Sequence, residues 1–313
     1  MTRFVMHIDR PVDVNEIADL LEDDVDVVGP GDADLGRAHA AIVGGVRWNS
    51  ARFDLAPNLK VLARTGIGVD AVDLEHASSV GVQVTNTPEG PTVSTAEHTI
   101  ALLFSVAKAL PSTQNELRQA AGDYTARSVA TELDGLTLGL VAFGRIARRV
   151  ARIASAVGME VLAYDPYLET DSGTVAADGV NVELVDFDQL LARADVLSLH
   201  CPLTEESARL FDAETFARCK QGLIFINAAR GGLVDHDALL AALGSGQVKA
   251  AGLDVTDPEP LPSDHPLLHR LDVIVTPHVA SSTVVGRRRM LTMAVEQAMV
   301  ALRGGTPSHL VNV

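Results

Sequence analysis

From start to end this chain of 313 residues alternates short apolar, β-branched runs with helical patterns, and that alternation constrains the fold more than any single motif. A first series of runs lies at residues 4–8, 25–28, 40–43, 61–64 and 82–85. A second lies at 137–142, 160–164, 182–184, 196–200, 223–227, 250–253 and 273–276. Strands that are apolar throughout, with helices between them, cannot present a face to water, so they form parallel sheets covered on both sides. Two series imply two successive α/β units, each a doubly wound parallel sheet. A composition that is 47% hydrophobic supplies apolar surface for both cores.

Between the series, residues 91–121 open on Pro91, carry a Ser94-to-Glu97 capping pattern and continue as one apolar-striped helix, the expected bridge between domains. Beyond Pro277-His278 another helix is predicted over 284–302, ended by Gly304-Gly305. Packed back on the first sheet, it makes the first domain discontinuous. The expected division is therefore 1–98 with 286–313 for one domain, and an inserted domain at 99–285.

A net charge of −16 is poorly matched to a polyanion, because phosphate neutralisation needs clustered Lys and Arg. The basic run Arg287-Arg288-Arg289 sits in the last predicted helix and reads as a solvated face. Nucleic acid and anionic membrane are thus not the expected partners. The two cysteines, Cys201 and Cys219, have neither metal-ligand nor CxxC spacing, which predicts free thiols in a reducing compartment and no metal site. The first nine residues are too soon interrupted by charge for a signal peptide, and the longest apolar run, 99–107, falls short of a bilayer span. These features predict a cytoplasmic protein.

One segment carries a ligand pattern. A strand ending in Val141 runs into a turn at Gly144, and an apolar-periodic helix with Ile146, Val150, Ile153 and Ala154 follows at once. Such a turn aims backbone N–H groups and the positive end of a helix at a pyrophosphate. The next strand ends at Asp165, about 20 residues on, where a carboxylate accepts ribose hydroxyls and repels a 2′-phosphate, favouring NAD over NADP. Of the pattern G-x-G-x-x-G only the central glycine stands in Ala142-Phe143-Gly144-Arg145-Ile146-Ala147. Ala147 suits helix packing, whereas Ala142 puts a Cβ where the turn is tightest. Alone, the motif fits a cofactor site or an ordinary βα turn equally well.

Further motifs follow one another along the chain. They are Arg64-Thr65-Gly66-Ile67-Gly68-Val69-Asp70, Asn86-Thr87-Pro88, the variant turn, Tyr164-Asp165-Pro166 and His200-Cys201-Pro202-Leu203-Thr204. After these come Asn227-Ala228-Ala229-Arg230-Gly231-Gly232-Leu233-Val234-Asp235, Leu253-Asp254-Val255, Glu259-Pro260 and Thr276-Pro277-His278. The ordered set resembles the D-isomer-specific 2-hydroxyacid dehydrogenases, the group that includes phosphoglycerate dehydrogenase, glyoxylate and hydroxypyruvate reductases and formate dehydrogenase. The resemblance covers nearly the whole chain.

It implies a flavodoxin-like substrate domain and an inserted Rossmann-like NAD domain. Arg230 would pin the substrate carboxylate and carbonyl with paired donors. His278 would give a proton to the carbonyl oxygen as hydride arrives, with Glu259 on its other ring nitrogen fixing the tautomer. Asp254 would hold the nicotinamide amide. Gly144, Arg145, Ile146, Asp165, Cys201, Pro202, Thr204 and Ala228 would complete the NAD site, and Gly66, Ile67 and Gly68 would offer N–H groups to the substrate carboxylate. His7, His98 and His200 receive no role. Relatives are homodimers joined through the cofactor domain, so the bridging helix is expected to supply much of an interface.

The chain also departs from the pattern. Phosphate-handling members place an Arg-Ser pair at a strand end where counting back from Gly66 finds Val43-Gly44, and Arg47 and Arg52 are out of register. Pro91 and Ala280-Ser281 alter other walls of the site. The expectation is accordingly an NADH-dependent reductase of hydroxypyruvate or glyoxylate. The alternatives are a D-3-phosphoglycerate dehydrogenase of serine biosynthesis and a catalytically weak NAD-sensing protein. With the chain stopping at Val313, no appended regulatory domain is expected.

Overall fold

The computed structural model describes residues 3–119, 122, 130–170, 172–177 and 179–312. The chain divides into two compact units, Met1–Pro91 with Ser282–Val313, and Thr92–Ser281.

The first unit is built on five parallel strands, β1 (Phe4–Ile8), β2 (Val25–Val28), β3 (Ala40–Val43), β4 (Val61–Arg64) and β5 (Gln83–Thr85), in the order β2-β1-β3-β4-β5. The period of two along β3 divides its side chains between two cores. Ala40 and Ile42 join Met6, Ile8 and the terminal helix Val284–Leu302, through Leu291, Ala294, Val295 and Ala298. Ala41 and Val43 join Trp48, Phe53 and Ala77 on the opposite face. The terminal helix therefore closes the first sheet, and the unit is discontinuous in sequence.

The second unit holds an eight-stranded sheet in the order β13-β12-β11-β10-β6-β7-β9-β8. Its strands are β6 (Thr137–Val141), β7 (Glu160–Tyr164), β8 (Thr174–Ala177), β9 (Val180–Leu184), β10 (Val196–Leu199), β11 (Leu223–Asn227), β12 (Val248–Leu253) and β13 (Val273–Val275). All pairings are parallel except β8 with β9. The sequence pattern misses β8 because an edge strand exposes its alternate residues and leaves no apolar run. From β6 the chain passes to β7 on one side and later to β10 on the other, so strand order reverses there and opens a crevice at the carboxyl ends.

The expected single helix over 91–121 is instead two, Thr92–Ala107 and Leu110–Arg118, with Ala109 between them in left-handed conformation at φ 51°. Pro111 accounts for the break: it lacks an N–H, and inside a continuous helix its ring would strike the carbonyl of Ala107. Ser94 lies within the first helix rather than at its cap. Residue 121 falls outside the described residues. Boundaries at 98/99 and 285/286 would each cut a helix. The division falls outside both because Ala96, Ile100 and Leu103 belong to one core with Leu138 and Leu140, whereas Val284–Leu302 buries its apolar face in the first unit.

Candidate active site

The ligand residues expected in the second unit cluster after the carboxyl ends of parallel strands. Gly144 follows β6, Asp165 follows β7, Cys201 to Thr204 follow β10, Ala228 and Arg230 follow β11, Asp254 follows β12 and His278 follows β13. After β6, Ala142 adopts φ 70°, which costs an L-residue about 1–2 kcal/mol. Two bonds hold the turn: the Ala142 N–H donates to the Tyr164 carbonyl at 2.7 Å, and the Phe143 N–H donates to Asp165 Oδ2 at 2.9 Å. The missing first glycine thus strains the turn without preventing it.

Gly144 gives the test of fit. Its φ of −79° suits any residue, and a Cβ added there would meet nothing within 4 Å. The chain has no internal need for glycine at this point. The open space lies at the start of helix Arg145–Ala156, which has no side-chain cap, as a close-approaching pyrophosphate requires. Arg145 is exposed, Ile146 half-buried and Ala147 wholly buried against the sheet core. Asp165 is half-buried and also accepts from the Tyr167 N–H at 3.0 Å, yet a carboxylate has about four acceptor positions and keeps capacity for ribose hydroxyls. These residues fit NAD. On the β10 side, burial pushes the Cys201 thiol up to about 11, so it forms an uncharged wall. Pro202 is exposed and Ala228 half-buried, while Thr204 is committed locally, its hydroxyl donating to Glu206 at 2.8 Å.

Opposite this turn in the sheet order, His278 Nδ1 lies 2.7 Å from Glu259 Oε1. Among the described residues Nε2 has no hydrogen-bond partner, and the ring is accessible. His278 itself sits at φ 52°, a left-handed conformation that persists only where its surroundings over-determine it. Asp254 provides the restraint. Its carbonyl accepts the His278 N–H at 2.7 Å, and its carboxylate accepts the N–H of Val279 at 2.9 Å and of Ala280 at 2.8 Å. The Thr276 hydroxyl donates to the same carboxylate at 2.6 Å, and His98 Nε2 lies 3.0 Å from that hydroxyl and 3.4 Å from Asp254 Oδ1. Burial pushes the Asp254 carboxyl up, but bonds from His98, Thr276, Val279 and Ala280 outweigh it and hold the group below its ordinary value.

The Asp254 side chain has no exposed surface. In this structure it clamps the His278 turn, and a nicotinamide amide could reach it only by replacing one of its donors. His98 and Thr276 are the participants that sequence reasoning missed. The two lie 178 residues apart, and no spacing rule links a helix histidine to a strand-end threonine at that distance.

Arg230 is half-buried in extended backbone, and its Nη1 donates to the Ala229 carbonyl at 2.6 Å. Asn227, wholly buried, brackets the loop by donating to the Arg230 carbonyl at 2.8 Å and accepting from the Ala229 N–H at 3.0 Å. At Gly231 a Cβ would lie 2.1 Å from the Thr256 carbonyl carbon. Only glycine allows that approach, which joins the Arg230 loop to the segment leading into Glu259.

In the first unit, Gly66 takes φ 144° just after β4. Its N–H donates to Thr87 Oγ1 at 2.7 Å and its carbonyl accepts the Thr87 N–H at 2.9 Å, while Asn86 Nδ2 holds the Ile67 carbonyl at 2.8 Å. The Gly66 N–H is therefore occupied, contrary to expectation. Among the described residues, Ile67 and Gly68 keep their N–H groups without a protein acceptor.

The second unit thus carries a nucleotide-fitting turn at the switch point of a parallel sheet and a carboxylate-paired histidine two strands from its Arg-bearing loop. Residues 100–280 match the family described as D-isomer specific 2-hydroxyacid dehydrogenase, NAD binding domain, and the chain belongs to that family. It is 43% identical over 258 residues to the D-3-phosphoglycerate dehydrogenase of Mycobacterium bovis, covering 82% of this chain and 48% of that one. The chain thus spans about half the length of the curated relatives it matches. Among solved structures, the TT0316 protein of Thermus thermophilus superposes with a TM-score of 0.87 at 36% identity, covering 98% of this chain and all of that one. The D-lactate dehydrogenase of Aquifex aeolicus, solved with NAD and lactic acid, gives a TM-score of 0.82 at 28% identity over 96% of each chain.

Proposed function

We propose that this protein is an NAD-dependent D-2-hydroxyacid dehydrogenase that reduces a small 2-keto acid. The observation that carries the reading is the 2.7 Å contact between Glu259 and His278, which leaves His278 Nε2 as the accessible proton donor. Bound NADH supplies the hydride. Arg230 takes the substrate carboxylate and polarises the keto oxygen. His278 Nε2–H passes its proton to the oxygen as negative charge develops there. Nδ1–H keeps its bond to Glu259, so the neutral ring is left in the tautomer whose Nε2 accepts the proton in the reverse direction. Asp254, Thr276 and His98 hold the histidine turn. Gly144 and Asp165 bind the pyrophosphate and ribose, with Asp165 selecting NAD over NADP.

The names of the relatives favour 3-phosphohydroxypyruvate over the hydroxypyruvate or glyoxylate expected from the missing Arg-Ser pair. A cytoplasmic homodimer accompanies the proposal. Free thiols at Cys201 and Cys219 suit a reducing compartment, and Leu110 and Leu117, 55% and 64% exposed on the helix after Ala109, suit an interface. Among the described residues no helix is long and apolar enough to cross a membrane.

The test is NADH oxidation by the purified protein with hydroxypyruvate, glyoxylate, pyruvate and 3-phosphohydroxypyruvate, with NADPH as control. Turnover of at least one ketoacid with NADH in preference to NADPH is expected. NADH binding without turnover of any would favour a nucleotide-sensing protein instead.

A further inference from the structure

Glu259 stands on a stretch that the backbone alone does not fix. Pro258 and Pro260 on either side of it lack N–H groups, and among the described residues no backbone group of 257–260 pairs with another backbone group. Two side chains hold the stretch instead. The Thr256 hydroxyl donates to the Pro258 carbonyl at 2.9 Å, a bond local to the loop. The second tether comes from 21 residues away, where His236 Nδ1 lies 3.0 Å from the Asp257 carbonyl oxygen. Apart from the Glu259–His278 contact itself, it is the only hydrogen bond among the described residues that ties 257–260 to a distant element.

His236 opens the helix His236–Ser245, whose N-cap Asp235 accepts the N–H groups of Asp237 at 3.0 Å and Ala238 at 3.1 Å. The cap fixes the helix start and with it the origin of the His236 side chain. The residue is buried, and among the described residues its Nε2 has no hydrogen-bond partner. The tautomer with its proton on Nδ1 therefore donates to Asp257 without burying an unpaired N–H. A charged ring would carry a second N–H into a space with no acceptor, at the positive end of a helix. Burial accordingly pushes the imidazole below its ordinary value, helped by the His265 ring 6.1 Å away; the bond to the Asp257 carbonyl and the charges of Asp257 and Asp235 oppose this without outweighing it.

We propose that His236 is a positioning residue: by holding the Asp257 carbonyl it sets where Glu259 stands, and so keeps the Glu259 carboxylate on Nδ1 of His278. The inference rests on the dehydrogenase reading and adds to it a residue that acts through another. His236, Asp257, Glu259 and His278 all belong to the second unit. The helix that follows the Arg230 loop thereby aims the acid pair as well.

The experiment compares wild type, His236→Leu, which removes the donor, and His236→Asn, whose amide nitrogen stands close to the place of Nδ1. With the ketoacid that wild type turns over, His236→Leu should lower kcat about 10- to 100-fold while the NADH dissociation constant changes less than about threefold, and His236→Asn should recover most of the loss. In a Glu259→Gln background the His236→Leu change should cost nothing further, because its effect runs through Glu259. An additive fall in that background, an equal fall in His236→Asn and His236→Leu, or wild-type kcat in His236→Leu overturns the proposal. Should His236→Leu not fold, His236→Gln, whose amide reaches the place of Nε2 rather than Nδ1, carries the same comparison. Should wild type turn over no ketoacid, the dehydrogenase reading fails separately, and the Nδ1–H proton resonance of His278 in histidine-labelled protein decides for His236. Its loss in His236→Leu with retention in His236→Asn supports the tether, and any other pattern overturns it.

Discussion

Two strand ends in the second unit carry a non-glycine residue in left-handed backbone, Ala142 at φ 70° after β6 and His278 at φ 52° after β13, and their surroundings differ in kind. At His278 the turn is fixed by a buried carboxylate that accepts two successive N–H groups, and the strained residue bears the imidazole proposed as the proton donor. At Ala142 the strained residue bears only a methyl, while the bonds that shape the turn come from its own and the next backbone N–H. Strain at the first position aims a functional group. Strain at the second is a consequence of a residue choice that the fold tolerates.

The largest effect is expected at Asp254. Asp254→Asn keeps the shape but turns an NH2 toward backbone donors, and should cost about 2–4 kcal/mol of stability together with most of kcat, read by urea melts and steady-state kinetics. If stability falls and kcat does not, the clamp does not aim His278. The same carboxyl gives a pH signature. Its folded value lies below its unfolded one, so its stabilisation is complete above the ordinary carboxylate range and is lost as pH falls through the lowered folded value. Asp254→Asn should therefore flatten part of the acid limb of a stability-against-pH curve.

A smaller effect is expected at Asp165, which shapes the Ala142 turn through the Phe143 N–H. Asp165→Ala should weaken NADH binding and narrow the NADH-over-NADPH preference by about 10-fold or more, measured as the ratio of kcat/KM values. An unchanged ratio would remove Asp165 from the ribose site. The smallest effect is Ala142→Gly, expected to be neutral or to stabilise by up to about 1 kcal/mol without weakening NADH binding. Marked destabilisation there would show that the methyl has a task.

Much of this architecture is legible in the residues. Apolar runs along both faces forced parallel, covered strands, and Gly304-Gly305 after a long amphipathic segment located the helix that returns to the first sheet. The chemistry-bearing side chains stand at strand ends because open sheets bind ligands there, so their order along the chain mirrors their clustering at one edge. What escaped depended on neighbours in space. The Gly66 N–H is taken by Thr87, a bond invisible without the fold. The break at Pro111 was readable from proline's missing N–H alone, and the apolar stripe on either side obscured it.

The most direct test of the account is the behaviour of His278→Gln, which keeps a hydrogen-bonding side chain at the strained position and removes the proton donor. With the ketoacid that wild type turns over, kcat should fall by about 100- to 10,000-fold while the NADH dissociation constant, followed by nicotinamide fluorescence, changes less than about threefold. A variant that turns over at the wild-type rate, with NADH binding equally intact, would contradict the assignment of His278 as the acid and with it the central claim.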